Sequence, residues 1–327
     1  MIWLLLACLP DLGPESAAAH AGRCGDCHPT HSEAFAGSRH AQASSSPTFQ
    51  ALRDHAEASQ GLGATCDRCH APAGTGLGCL TCHAAAGNQR PANGELLHDP
   101  TGPIRGPFGD TEASHASVAS DFLTDAQLCA TCHELDGLGA FDESPYQHWQ
   151  RSEAAAEGHR CQDCHMGAVP GQPVDLAPGA VVVGGVDRPL SDHAFVGLQA
   201  DPVALLTAGL ELRAVAGGVE LVNHAGHALP DGASFSRELW LEVRRDGHAT
   251  GEVHPLHPEL LDATGAPTWD PTTAASVTSR ALAPDEVRFV PLAADTTLCL
   301  RYRPVAAKLS AGLDLPTTEA IDLGCAG

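Results

Sequence analysis

The last third of the chain alternates apolar and polar residues, which is the pattern of half-buried β-strands. This alternation predicts five strands, over residues 210–215, 219–222, 238–243, 287–290 and 297–302. Asp246-Gly247 follows the third of them and predicts a tight hairpin turn. Because the strands are short and no helical spacing separates them, residues 201–327 are predicted to form a β-sandwich-like domain.

Residues 20–200 have a different pattern, with weak hydrophobic periodicity and abundant Gly, Pro, Ala and Ser. Short helices are predicted at 32–43, 120–132 and 146–157. Long irregular loops argue against a compact domain unless something besides apolar side chains holds them together. The predicted fold class is therefore α+β, with a loop-rich, mostly helical domain followed by the β-sandwich-like domain.

The cysteines indicate what holds the loops together. Ten of the 13 cysteines fall into five copies of C-x-x-C-H, a pattern typical of c-type haem attachment. Two thiols three positions apart reach the two vinyl groups of one porphyrin, and the next residue supplies the proximal imidazole to the iron. The five copies are Cys24-Gly-Asp-Cys27-His28, Cys66-Asp-Arg-Cys69-His70, Cys79-Leu-Thr-Cys82-His83, Cys129-Ala-Thr-Cys132-His133 and Cys161-Gln-Asp-Cys164-His165.

A zinc site is the alternative interpretation, but zinc spacing does not require His after the second Cys of every copy. We therefore predict five haem c groups, carried by residues 20–200 as a pentahaem domain. Aromatic residues are only 4% of the chain, so porphyrins would supply apolar bulk that the side chains lack. Cys66 and Cys79 are separated by a short glycine-rich segment, which predicts that the second and third haems lie close together.

The start of the chain predicts export. Residues 1–19 are interpreted as a signal or a lipoprotein tether, and Leu5-Leu6-Ala7-Cys8 resembles a lipobox in which Cys8 would be lipidated. Cleavage after Ala19 is the alternative. Both readings predict a periplasmic location, or an outer-membrane or cell-surface lipoprotein, with the membrane contacted only through the lipid anchor.

The charge narrows the choice of partners. The formal net charge is -22, which disfavours nucleic acid and anionic membrane surfaces. We expect other redox proteins as partners, either cytochromes or a membrane quinol-oxidising complex, that present a basic surface.

Several segments resemble a family of bacterial multihaem cytochromes c, and the resemblance extends from Cys24 to about Tyr302. It implies electron transfer and, often, irons with two histidine ligands. Asp231 departs from the family pattern, which has Thr at that position. The segments are Ser38-Arg39-His40-Ala41, residues 102–107 with His115, residues 128–134, Tyr146 with Trp149, Asp192-His193-Ala194-Phe195, and the loop 223–232.

The sixth iron ligands are expected to be histidines, because Met1 and Met166 are the only methionines. The resemblance favours His40, His115 and His193 as distal ligands. His227 is a further candidate, since Gly226 permits close approach of the backbone and Pro230 stiffens the loop. His98 and His148 compete for the fifth position.

The sequence therefore favours an electron carrier over an enzyme with its own substrate, and no catalytic residue is assigned. A multihaem oxidoreductase of the nitrogen-oxyanion or hydroxylamine type, with one open haem, is the competing hypothesis. A β-domain that serves as a binding module is a third. Cys299 and Cys325 are either a disulfide or two thiols.

Overall fold

A computed structural model describes residues 17, 22–72, 74, 76–110, 113, 115–171, 188–195 and 202–327. Cys8 lies outside the described residues. The helices are α1 Pro29–Ala36, α2 Pro47–Gln60, α3 Gly63–His70, α4 Cys79–His83, α5 Ala126–His133, α6 Pro145–Trp149, α7 Glu153–Ala156, α8 Cys161–His165, α9 Pro202–Gly209 and α10 Ala307–Gly312.

The strands alternate with these helices in the first part of the chain and dominate the last. They are β1 Ala85–Asn88, β2 Leu96–His98, β3 Ile104–Gly106, β4 Ser117–Ala119, β5 Leu135–Leu138, β6 Phe141–Glu143, β7 Ala168–Gly171, β8 Arg188–Ser191, β9 Leu210–Val215, β10 Gly218–Asn223, β11 Glu238–Arg245, β12 His248–Pro255, β13 Glu259–Leu261, β14 Pro267–Thr268, β15 Ser276–Thr278, β16 Val287–Pro291, β17 Thr296–Arg303 and β18 Ile321–Ala326.

The chain divides into two compact units. Unit 1 is Met1–Ser46, Thr65–Cys132 and His159–Ala200, and unit 2 is Pro47–Ala64, His133–Gly158 and Asp201–Gly327. The predicted change of structure near residue 200 therefore coincides with the start of the last segment of unit 2. Two earlier segments join that unit, because side chains such as His55 and Glu143 bond to residues of the last segment.

Unit 2 contains all five predicted strands, as β9, β10, β11, β16 and β17. They form two sheets, ordered β16-β10-β9 and β12-β11-β17-β18. Val219 and Leu221 of the first sheet and Leu239, Leu241 and Leu298 of the second are fully buried in one apolar cluster. Alternate residues of each strand therefore face a shared core, as the period-two pattern predicts.

The turn and the disulfide complete this unit. β11 and β12 pair antiparallel across Asp246-Gly247, and both turn residues have positive φ, as the predicted hairpin requires. Cys299 and Cys325 face each other across β17 and β18 and form a disulfide. The structure therefore answers the question that the sequence left open, whether these two cysteines are paired.

The helix predictions were less accurate. The predicted helix 32–43 is α1, which ends at Ala36, and the predicted helix 146–157 is divided into α6 and α7. Residues 120–132 contain a 3-10 turn before α5. The longest helix among the described residues, α2, was not predicted, and neither were the two-stranded pairings among β1 to β8. These short strands have too few residues for a recognisable alternation.

In the part of the chain that the structure describes, no helix combines the length and the apolar composition that crossing a bilayer requires.

Candidate haem-attachment sites

Each C-x-x-C-H motif lies on a short helical turn. α4 and α8 consist of nothing but the third and fifth motifs, while α3 and α5 end with the second and fourth. In the first motif, a 3-10 turn spans Cys24–Asp26 and His28 is the residue before α1. Residues three apart share a helix face, so both thiols of a motif face the same side. This arrangement suits attachment to one edge of a planar ring.

Thiols of different motifs also meet within unit 1. Hydrogen bonds link Cys24 to Cys79, Cys69 to Cys132, and Cys129 to Cys161. The fourth motif therefore contacts the second through one thiol and the fifth through the other, while the first motif contacts the third. The spatial order of the motifs differs from their order in the chain.

One of these thiols, that of Cys82, is strongly desolvated. Burial raises the pKa of the Cys82 thiol to about 12, with smaller contributions from Cys132 and Cys79. Such a thiol stays protonated at neutral pH and is a poor ligand for a free metal ion, which requires the thiolate.

In two of the proximal histidines, a hydrogen bond shows which ring nitrogen carries the proton. Nδ1 of His83 donates to the carbonyl oxygen of Arg105 at 2.7 Å, and Nδ1 of His70 donates to that of Ala43 at 3.1 Å. A carbonyl oxygen only accepts, so the ring proton is on Nδ1 and the lone pair is on Nε2. Burial lowers the pKa of both rings, which keeps them neutral. Both are thus prepared to bind iron through Nε2.

The other proximal histidines occupy equivalent positions in their motifs. His133 and His165 are the last residues of α5 and α8. The ring of His28 lies 6.2 Å from that of His31.

Two of the predicted distal histidines repeat the same hydrogen-bond pattern. Nδ1 of His193 donates to the carbonyl of Ser191 at 2.9 Å, and Nδ1 of His227 donates to that of Ala228 at 2.8 Å. Nδ1 of His115 is 3.4 Å from the carbonyl oxygen of Ala116. In His193 and His227 the lone pair is consequently on Nε2, whereas Nδ1 of His115 also lies 3.0 Å from the Ser117 hydroxyl, which can either donate or accept. Burial, followed by the nearby His31 and His83, lowers the pKa of His193 to about 4.

His40 belongs to the same buried region of unit 1. Its ring lies 4.3 Å from that of Phe195, in an edge-on contact. Burial lowers its pKa, and the neighbouring rings of His165 and His70 lower it further. His40 is therefore neutral at pH 7 and adjacent to the proximal histidines of the fifth and second motifs.

The two candidates for the fifth distal position differ. Nε2 of His98 lies 2.8 Å from the carbonyl oxygen of Leu80, so the proton is on the nitrogen that would have to bind iron. Nδ1 of His148 lies 2.7 Å from Oδ2 of Asp231, which is the carboxylate–histidine pairing typical of metal ligands. This pattern favours His148 over His98.

A buried polar network around Asp231 escaped the sequence analysis. The carboxyl of Glu143 bonds to Asp231, and it accepts hydrogen bonds from the amides of Gly232 and Ser234 and from the Ser234 hydroxyl. Burial and the neighbouring Asp231 raise the pKa of Glu143 to about 8. Burial also acts to raise the pKa of Asp231, but bonds from His148 and Glu143 outweigh it and hold that pKa below its ordinary value. The departure from the family pattern at Asp231 was the only signal in the sequence.

Gly226 allows the backbone of its loop to lie close to side chains of unit 2. A Cβ at this position would lie 3.1 Å from Cβ of Ala154 and 3.4 Å from Cδ1 of Trp149. The loop 223–232 therefore packs against α6 and α7, the segment that carries His148.

The comparisons with known proteins address the fold. No protein-family model matches the chain, and no curated protein is significantly similar to it in sequence. A solved structure, the penta-heme cytochrome c552 from Thermochromatium tepidum, superposes with a TM-score of 0.68 and is 18% identical. The match covers 95% of this chain and 99% of that one. The protein therefore has the fold of a penta-haem cytochrome c.

Proposed function

We propose that the protein is a five-haem c-type cytochrome that carries electrons between other redox proteins. The observation that carries this proposal is the repetition of one arrangement: five helical turns, each presenting two thiols and a following histidine. The fold shared with a penta-heme cytochrome supports it.

The residues fit the prosthetic group. Ten cysteines of the five motifs would hold the porphyrins, and His28, His70, His83, His133 and His165 would bind the irons. Each bound haem would supply an iron that alternates between ferric and ferrous states, at a potential set by its axial ligands. The chain contributes the orientation: carbonyl oxygens fix the protons of His70 and His83 on Nδ1.

Charge supports a particular kind of partner. With a formal net charge of -22, the chain attracts a basic docking surface, and we propose cytochromes or a membrane quinol-oxidising complex that carries one. Screening by salt should weaken such an encounter. We also propose export to the periplasm or cell surface, where lipidation of Cys8 would supply an anchor.

Two measurements on the exported protein test the function. The intact mass should exceed that of the polypeptide by five haems, and a Cys161→Ser/Cys164→Ser variant should lose one of them. Reduced protein should show little spectral change with carbon monoxide if histidines fill the sixth positions. Three or fewer haems would overturn the proposal. A large response to carbon monoxide would instead indicate an open iron and favour an enzyme.

A further inference from the structure

Two histidines that are distant in sequence lie close together in unit 1. The ring centroids of His83 and His193 are 6.1 Å apart, and the two ring planes differ by only 15°. His83 belongs to the third motif, whereas His193 follows the last motif in the chain. Nothing in the sequence assigns His193 to a particular motif.

This separation matches two imidazoles bound to one iron. An imidazole nitrogen binds a transition metal at roughly 2 Å, so two such bonds and the two ring radii add up to roughly 6 Å. His31 is also near His193, but those centroids are 4.8 Å apart and the planes differ by 71°. That distance is too short for two imidazoles that bind one iron from opposite sides.

Both rings are held by backbone that needs no metal for its position. The carbonyl that accepts from His83 belongs to Arg105 in β3, which pairs with β4. The carbonyl that accepts from His193 belongs to Ser191 at the end of β8, which pairs with β7. Each hydrogen bond occupies Nδ1 and therefore puts the lone pair of the ring on Nε2.

We infer that His193 is the second axial ligand of the iron bound by His83, at the third motif. This assignment rests on the proposed function. Near-parallel imidazole planes also predict the form of that iron's signal, a rhombic low-spin spectrum in electron paramagnetic resonance.

A double-variant experiment on the haem-loaded protein tests the assignment. His193→Ala alone should convert one haem to high spin, create one carbon-monoxide-binding site and remove the rhombic signal. Cys79→Ser/Cys82→Ser should remove the third haem. In that four-haem background, His193→Ala should produce no high-spin haem, whereas His115→Ala should still produce one. His248→Ala, at an exposed position, is the matched control.

The outcomes separate this inference from the proposed function. A high-spin haem produced by His193→Ala in the four-haem background would overturn the pairing with His83. Should the four-haem protein fail to fold, the single variant remains decisive, because loss of a rhombic signal is expected and its persistence contradicts the assignment. A wild-type protein with three or fewer haems would instead refute the proposed function itself.

Discussion

Nδ1 of His148 lies 2.7 Å from Oδ2 of Asp231, although 83 positions separate the two residues. The Asp231 side chain is only 4% exposed, while that of His148 is 35% exposed. The bond joins α6 to the loop 223–232 within unit 2. It orients the imidazole and also offsets the cost of burying a carboxylate.

Replacing Asp231 with Asn should destabilise unit 2. The variant keeps the shape but loses the charge that accepts from His148, so we expect a loss of about 1–3 kcal/mol in the free energy of unfolding. Chemical denaturation of the haem-loaded protein measures it. Glu211→Gln is the matched control, because Glu211 pairs with an exposed histidine, His224. A control that loses as much as Asp231→Asn would show that burial is not the cause.

Glu143 should make stability depend on pH. Its pKa is raised from 4.5 to about 8 by burial and by Asp231, so the folded chain retains a proton that the unfolded chain releases. The contribution of Glu143 to the free energy of unfolding is fully present below about pH 4.5 and is lost as the pH rises towards 8. Glu143→Gln, which is neutral at every pH, should flatten this decline.

The measurement is the free energy of unfolding of wild type and Glu143→Gln across that pH range. Their difference isolates the carboxyl from other titrating groups. Glu211→Gln should leave the decline intact. Parallel curves for wild type and Glu143→Gln would mean that Glu143 is ionised in the folded protein.

His115 and His98 should behave differently in the haem-loaded protein. Nε2 of His98 donates to the carbonyl oxygen of Leu80, whereas in His115 it is Nδ1 that lies beside the Ala116 carbonyl and the Ser117 hydroxyl, so the geometry favours Nε2 of His115 as the nitrogen that binds iron. We expect His115→Ala to give one high-spin haem and His98→Ala to leave the spectrum unchanged. Absorption and paramagnetic resonance spectra distinguish the two. The reverse result would contradict the inference that the hydrogen-bonded nitrogen decides which histidine binds iron.

His227 provides a test of the loop 223–232. Its Nδ1 donates to Ala228, and we predict that its Nε2 binds an iron. His227→Ala should convert one haem to high spin, whereas His248→Ala should not. An unchanged spectrum in both variants would make His148 the better candidate for that position.

The disulfide between Cys299 and Cys325 should stabilise the β-domain. It closes a sequence separation of 26 residues, for which a contribution of about 2–4 kcal/mol is typical. A Cys299→Ala/Cys325→Ala variant should therefore unfold at lower denaturant concentration, while its haem count stays at five. Fewer than five haems in this variant would show that the disulfide affects the attachment sites as well.

The five strands were predicted well because their signal is local. In Glu238–Arg245, for example, alternate residues are buried, so the period of two is present in the sequence itself. The helix α2 was missed because most of its residues are polar or small, although Phe49, Leu52 and Ala56 have the three- and four-residue spacing of a helix face.

The same difference between local and long-range features applies to the candidate haem-attachment sites. C-x-x-C-H spacing is local, so the sequence by itself determined the five attachment positions and their proximal histidines as candidates. The ranking of the distal histidines needed the structure, because the proton position on His98 or His193 depends on which carbonyl oxygen lies beside it. For His98 that oxygen belongs to Leu80, 18 positions away in the chain, whereas for His193 it belongs to Ser191, two positions away.

The sequence alone determined the chemistry available to this protein: paired thiols, the histidines that follow them and an alternating β-domain are all encoded at short range. Only the tertiary structure decided which distant residues meet, as His83 and His193 do, and His148 and Asp231. The physical reason is that side-chain period and motif spacing depend on local backbone geometry. Long-range pairs instead depend on how loops close and which groups are buried together.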